Sequence, residues 1–347
     1  MKYLNIILSL FKELRNFPLF LYHICHYLNM NLPKMISKSI KTRNIKAYNQ
    51  ESVADVLIET IDGGGQIVHP DIDTYDEQLA FIGTPYPYAM EEYENPCLYV
   101  GNDLTTLAQV ACPLDVQQKH TQGVHLSDPC IAADGKMLLC VYRDTRKKDD
   151  YIYLKSVSQK DNGGYVISER TLLLESHNRY ILSPAIILKG GNMFMYHIET
   201  DRITSRLEIN IFERKLYTKT EQRSAKLINE PAGYYLWHIG IAVSGNYGKK
   251  MSDPDTLEGL FLYAACNKKG TFKLFNASSS NGVDWIVGKE IAVPDYLDGI
   301  IKFPYKSCFN PQTKKILLSF RDQKDRNRLV EIDNIKSLVS NKNGRVN

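Results

Sequence analysis

The chain has seven cysteines, Cys25, Cys97, Cys112, Cys130, Cys140, Cys266 and Cys308, but no Cys-x-x-Cys pair. That spacing excludes the usual zinc and thioredoxin-type motifs, and an odd count without an export signal points to reduced, buried thiols rather than disulfides. His23, Cys25 and His26 fit no usual ligand spacing, so no metal is expected there. Gly63-Gly64-Gly65 is not followed by Lys-Ser or Lys-Thr, and no Gly-x-Ser-x-Gly elbow occurs, which removes a phosphate loop and an α/β-hydrolase nucleophile. No cofactor is expected. No apolar stretch reaches the roughly 20 residues needed to span a bilayer, because Lys12, Glu13 and Arg15 interrupt the first one.

Acid is nearly missing from residues 1–50, where Glu13 stands alone against Lys2, Lys12, Arg15, Lys34, Lys38, Lys41, Arg43 and Lys46. This segment carries +7 and the whole chain +4, so the remainder is −3, which argues against a nucleic-acid partner. Leu4, Ile7, Leu8, Phe11 and Leu14, then Leu21, Ile24, Cys25 and Leu28 after Pro18, have helical spacing. Two short amphipathic helices are predicted, able either to pack on the body of the protein or to lie on an anionic membrane through residues 1–46. A third helix is predicted from Ser52 to Ile61, opened by a Ser52–Asp55 capping box and stopped by the glycines. No small-residue cleavage site follows the first apolar stretch, so the expected location is cytoplasmic, with membrane contact and a phage virion left open.

What the chain does have is a repeated phrase. A polar residue, Pro, a small or acidic residue and then Ile or Leu recur as His69-Pro70-Asp71-Ile72, Asn95-Pro96-Cys97-Leu98, Asp128-Pro129-Cys130-Ile131 and Ser183-Pro184-Ala185-Ile186. Pro at the start of a strand costs no ladder bond. Turn residues then lead to a second apolar run, as at Asp134-Gly135-Lys136 before Met137–Arg143. Units beginning at Trp237-His238 and Lys306-Ser307 keep the plan without Pro, and Asn95-Pro96 is assigned to a later strand of the first unit. Five units of about 40–50 residues and roughly four strands predict an all-β fold, a five-bladed β-propeller with an N-terminal helical extension. The expected boundaries are 1–62 for the extension, 63–335 for the propeller and 336–347 for a polar tail. A sandwich would need far less chain than residues 66–332.

Residues 275–286 place Ser-Ser-Asn-Gly before Val-Asp-Trp, which resembles the degenerate Asp-box hairpin of glycan-acting propellers, with Trp285 as its buried anchor and 101–107 a weaker echo. From Gln66 to Arg321 the phrases His-Pro-Asp, Tyr-Glu-Asn-Pro-Cys, Ser-Asp-Pro, Ser-Pro-Ala and Trp-His, taken in order, resemble the furanosidase-like clan of glycoside hydrolase family 43, closest to a branch also found among phage tail proteins. The resemblance implies a glycan substrate or ligand at the channel mouth. In that family an Asp base, a tuning Asp and a Glu acid surround the channel; carried over by phrase they fall at His69, Asp128 and Ser183, and only Asp128 keeps its chemistry. A Ser hydroxyl cannot protonate a glycosidic oxygen as a carboxylic acid can.

The substitute acids and bases beside the phrases are Asp71, Glu94 and His238, with Asp128 itself. On a regular strand Asp71 would share a face with His69. Glu94 and Asp128 form the best substitute carboxylate pair, and a separation of about 6.5–9.5 Å would permit inversion through a water. Polar residues before Pro also serve simply to cap strand ends. Tyr86, Tyr88, Arg143, Ser183, His197, Trp237 and His238 are the candidates for substrate contact. Three functions remain open: a glycoside hydrolase-like enzyme, a non-catalytic glycan-binding propeller, and a scaffold. The polar residues gathered at one end of the innermost strands favour the first two.

Overall fold

The computed structural model describes residues 55–334 apart from 118–122, 147–148, 178 and 269. Five sheets follow one another along the chain as blades of a propeller, antiparallel apart from the short parallel pairs of Lys250–Met251 with Tyr180–Lys189 and of Lys226–Ile228 with Asp284–Glu290. Blade 1 runs Ile67–Tyr75, Gln78–Pro85, Cys97–Gly101, Ala108–Ala111, so Asn95-Pro96 does precede a later strand of the first blade. Blade 2 is Val124–Asp134, Met137–Arg146 and Asp149–Gln159, edged by Tyr165–Ile167 and Thr171–His177, which both pair with its third strand. Blade 3 is Tyr180–Lys189, Asn192–Thr200, Ser205–Glu213 and Thr218–Ser224. Blade 4 is Tyr234–Val243, Leu257–Ala265, Phe272–Ser279 and Asp284–Glu290. Blade 5 is Ile301–Pro304 and Cys308–Phe309, both on Ile316–Asp322, with Asn327–Ile332 beyond.

The hydrophobic core is five cores, one between each pair of adjacent blades. Ala80, Ile82 and Leu98 of blade 1 meet Leu126, Leu138 and Cys140 of blade 2. Leu139 and Val141 point the other way, onto Ile186, Leu188 and Met195 of blade 3. Ile187, Ile198 and Leu207 face Ile239, Phe261 and Trp285, while Leu260 of blade 4 faces Ile316, Leu318 and Phe320. Cys308, Leu317 and Leu329 of blade 5 return to Ile67, Leu79 and Phe81 of blade 1 and close the ring. Because alternate residues of each middle strand serve opposite neighbours, these strands are apolar on both faces and read as continuous hydrophobic runs. Each large side chain so buried contributes roughly 1.5–3 kcal/mol.

The expected hairpin at 275–286 forms, with Trp285 fully buried and donating through Nε1 to Gly282 O at 3.2 Å, and Asn281 Oδ1 accepting the Val283 and Asp284 amides. Cys97, Cys130, Cys140 and Cys308 are buried free thiols, whereas Cys266 is exposed.

The third predicted helix is a correction. Its first residues, 52–54, lie outside the described residues; 56–60 are irregular and 61–64 a turn. The Val56 amide donates to Leu329 O at 2.8 Å, and Ile58 is buried with Ile67 and Leu329, so these residues edge the last strand of blade 5 with an alternating, not helical, pattern. The unsatisfied carbonyl edge of that strand overrides the local helical spacing. Residues 59–65 fall in a second unit, in which the Gly65 amide donates to Thr60 Oγ1 at 2.8 Å. The two amphipathic helices predicted before residue 47 and the polar tail lie outside the described residues.

Candidate functional site

The repeated phrase encodes a bulge. The ladder slips between Val68 and Asp71, between Ser127 and Cys130, and between Leu182 and Ala185, and the residue before Pro in each case is left-handed: His69 at φ 52°, Asp128 at φ 50° and Ser183 at φ 51°. Blade 4 slips at the same place, between Leu236 and His238, without a proline. Pro has no amide to lose at the unpaired position, and the bulge re-aims the preceding side chain. A non-glycine residue held at positive φ costs of order 1–3 kcal/mol, and such strain is concentrated at functional sites.

Three of these bulge residues, His69, Asp128 and His238, converge on a cavity of about 390 Å³ whose wall is drawn from blades 1, 2, 3, 4 and 5. His69 lies between two carboxylates, with Nε2 3.4 Å from Asp128 Oδ1 and Nδ1 3.6 Å from Glu94 Oε1. His238 Nδ1 is 3.8 Å from the same Asp128 oxygen. The other oxygen, Asp128 Oδ2, accepts the Ser183 amide at 3.2 Å and faces Arg143 Nη1 at 3.7 Å. Arg143 is fixed in turn, donating through Nη2 to both oxygens of Asp150 at 3.0 Å and to Thr145 Oγ1 at 3.2 Å. Glu94 follows the short turn Glu91–Tyr93; its carbonyl accepts the Leu126 amide at 3.0 Å and its Oε2 stands 3.4 Å from His125 Nε2. Trp237, Tyr86, Phe303 and Tyr305 supply aromatic faces, and Arg321 donates to the Tyr305 hydroxyl at 2.6 Å.

Burial sets the protonation pattern. It lowers His69 to about 3 and His238 to about 4 in spite of the Asp128 charge beside them. Burial raises Glu94 well above the carboxylate range, and the negative charge of Asp128 raises it further. On Asp128 burial acts in the same direction, but His69, His238, Arg143 and the Ser183 amide outweigh it, so its carboxyl lies well below the usual range. Near neutral pH the histidines are therefore neutral bases and Asp128 is an anion, while Glu94 is the carboxyl that keeps its proton longest.

Of the residues singled out in the sequence, His69, Glu94, Asp128, Tyr86, Arg143, Trp237 and His238 line the cavity. Three others are placed elsewhere. Asp71 does not share a face with His69, because the bulge lies between them; it is buried against Lys249 Nζ at 2.9 Å and accepts the Ile131 amide at 3.1 Å. The Ser183 hydroxyl both donates to Ile239 O and accepts from the Ile239 amide, at 3.1 and 3.0 Å, which ties blade 3 to blade 4 and leaves it no substrate. His197 is fully buried, 3.3 Å from Asn210 Nδ2 and 3.8 Å from Glu199. The side chain of Tyr88 lies outside the described residues. Missed in the sequence were Glu91, His125, Tyr180, Arg202, Tyr305 and Arg321, which reach the wall from loops and from the ends of strands. Among them His125 and Tyr180 each stand three residues before a phrase, at Asp128 and Ser183, and Tyr305 directly precedes Lys306-Ser307, so position next to a phrase was the signal that could have found them.

His69, Asp128 and His238 each offer a ligand atom, and these atoms lie within 4.8 Å of one another. They come from three blades, so no sequence spacing could reveal them. An N-acetylgalactosamine deacetylase from F. plautii, solved with blood group B trisaccharide, is similar over 74% of this chain and 80% of its own, with a TM-score of 0.59 and 14% identity. An exo-1,5-alpha-L-arabinanase from a bovine ruminal metagenomic library matches over 77% and 92%, with a TM-score of 0.51 and 11% identity. The fold is that of the family 43 propellers. A family 43 endo-arabinanase from Bacillus licheniformis matches over 77% of this chain and 93% of its own, with a TM-score of 0.51 and 13% identity. No family model matches the sequence, and no curated protein matches it.

Proposed function

We propose that this chain is a glycan-directed hydrolase of the glycoside hydrolase type, working in the channel-mouth cavity, with Glu94 as proton donor. The observation that carries the reading is that Glu94 and Asp128, on opposite sides of His69, share one cavity while their proton affinities are driven apart. Two carboxyls so separated divide the work of acid-assisted bond cleavage: one delivers a proton to the leaving oxygen and the other stays ionised. Asp128, held in place by Arg143 and the Ser183 amide, steadies the positive charge that develops at the anomeric carbon. The aromatic faces of Tyr86, Trp237 and Tyr305 suit the apolar faces of a sugar ring. The arabinanases and the deacetylase of the same fold act on glycans by their names, which supports the substrate class.

One observation favours a second reading, a glycan-binding propeller without turnover. Ser183, at the position where the resembled family carries its acid, is spent on Ile239. The test is a screen of the full-length protein against aryl furanosides, aryl pyranosides, N-acetylated oligosaccharides and envelope polysaccharides, scoring reducing ends and acetate, with calorimetry in parallel. Release of reducing ends is expected. Acetate without reducing ends would move the reading to deacylation, and heat of binding with neither product would leave the binding propeller.

A further inference from the structure

We infer that His69, Asp128 and His238 form a binding site for a single divalent transition-metal ion, zinc or a close relative, open to the cavity. The inference stands on geometry and does not depend on the proposed reaction.

Two atoms bound about 2.0–2.1 Å from one zinc at a tetrahedral angle are about 3.3 Å apart. Asp128 Oδ1 is 3.4 Å from His69 Nε2 and 3.8 Å from His238 Nδ1, and all three ligand atoms fall within 4.8 Å. These are the edges of a coordination polyhedron after small side-chain rotations, and they are long for direct hydrogen bonds. His238 is 4% exposed, and its Nδ1, directed at Asp128, has no hydrogen-bond partner. A buried ring nitrogen without a partner is costly unless it has another use.

The surroundings have the form of an outer ligand shell. His69 turns its second nitrogen toward Glu94 at 3.6 Å, too long for a hydrogen bond, so Glu94 stands beside the ring as an outer neighbour and not as a bonded partner. Asp128 commits Oδ2 to the Ser183 amide and Arg143, leaving Oδ1 for the ion. No nearby cation claims Oδ1: Arg143 faces Oδ2 and pairs with Asp150, and Lys306 Nζ donates to Pro129 O at 2.6 Å and Pro184 O at 3.3 Å. Two imidazoles and one carboxylate select zinc, iron, cobalt or nickel over calcium, which takes six to eight oxygen ligands. Three protein ligands leave coordination positions for water or a sugar oxygen.

The test uses the full-length protein, stripped with a chelator, reloaded with zinc, desalted and assayed for bound metal. About one equivalent should be retained, with a rise in Tm on loading. Asp128→Asn and His238→Gln should each lose it, whereas His177→Ala, removing an exposed histidine paired with Asp149, should not. Cobalt loading of the wild-type protein should produce visible absorption of a low-symmetry site, a readout that does not require the variants to fold. Zinc lost on desalting with no cobalt spectrum would overturn the site, as would equal retention in wild type and folded His238→Gln. No substrate enters the assay, so a protein that holds zinc but cleaves nothing would support the site while removing the hydrolase reading.

Discussion

Nε2 of His69, on the first strand of blade 1, stands 3.4 Å from Oδ1 of Asp128, on the first strand of blade 2, and both residues owe their direction to the same left-handed bulge. One backbone device used twice brings an imidazole and a carboxylate from separate sheets together. The surrounding blades over-determine the strained conformation, so the strain is retained where a regular strand would have relieved it.

Glu94→Gln should reduce turnover by about 10²–10⁴-fold while leaving glycan affinity nearly unchanged, because the amide keeps the shape but donates no titrating proton. The same change has a sign in stability. Glu94 holds its proton more tightly folded than unfolded, so its contribution falls as pH rises from about 4.3 through its folded value. The Gln variant should therefore melt higher than wild type at neutral pH. Unaltered turnover in a folded variant would show that the donor lies elsewhere.

Acid should unfold the protein through its buried histidines. His69 and His238 titrate near 3 and 4 in the folded chain and near 6.5 unfolded, so between about 6.5 and 4 the unfolded state binds more protons and stability is lost as pH falls. Each contributes a slope of up to about 1.4 kcal/mol per pH unit in that window. Urea melts at a series of pH values should be steeper in wild type than in His238→Gln. Parallel curves would count against the buried neutral imidazole.

Asp71→Ala should destabilise the fold by about 3–5 kcal/mol, since it strands the buried ammonium of Lys249. Lys249→Met, which leaves the Asp71 carboxylate with the Ile131 amide still donating to it, should cost less. Chemical denaturation of both variants checks the order. An equal or inverted order would mean that the stranded ammonium is not what makes the loss of Asp71 costly.

Residues 1–46 should carry the full-length protein into the pellet with anionic liposomes, each basic residue adding about 1 kcal/mol near the surface. A chain lacking them should stay in the supernatant with the same liposomes. Equal supernatant recovery of both would leave the segment only a packing role.

The blades were legible because the physics that marks them is local. Pro70, Pro129 and Pro184 mark first strands since an amide-less residue is tolerated only where a ladder bond is already missing, and Gly135 marks a hairpin by adopting φ 62°. What the same phrases did to side-chain direction was not legible. Counting by twos from His69 put Asp71 on its face, but the residue before each proline turns left-handed and breaks the count. The helix predicted over 52–61 is absent from residue 56 onward for a related reason: Val56 and Ile58 have apolar spacing open to either pattern, and the carbonyl of Leu329, far along the chain, decided it.

By itself, then, the sequence determined the strands, their grouping into five blades and the polar residues at the start of each blade, because period-two burial, turn residues and proline placement act over a few neighbours. Only the closed ring decided which of those residues meet. His69, Asp128 and His238 come within 4.8 Å because blades 1, 2 and 4 converge on one axis, and Tyr305 and Arg321 join them because the fifth blade packs against the first. Ser183 has the same backbone turn as His69 and Asp128 but is spent on Ile239, a contact set by how blade 3 meets blade 4 and by no signal within the phrase itself.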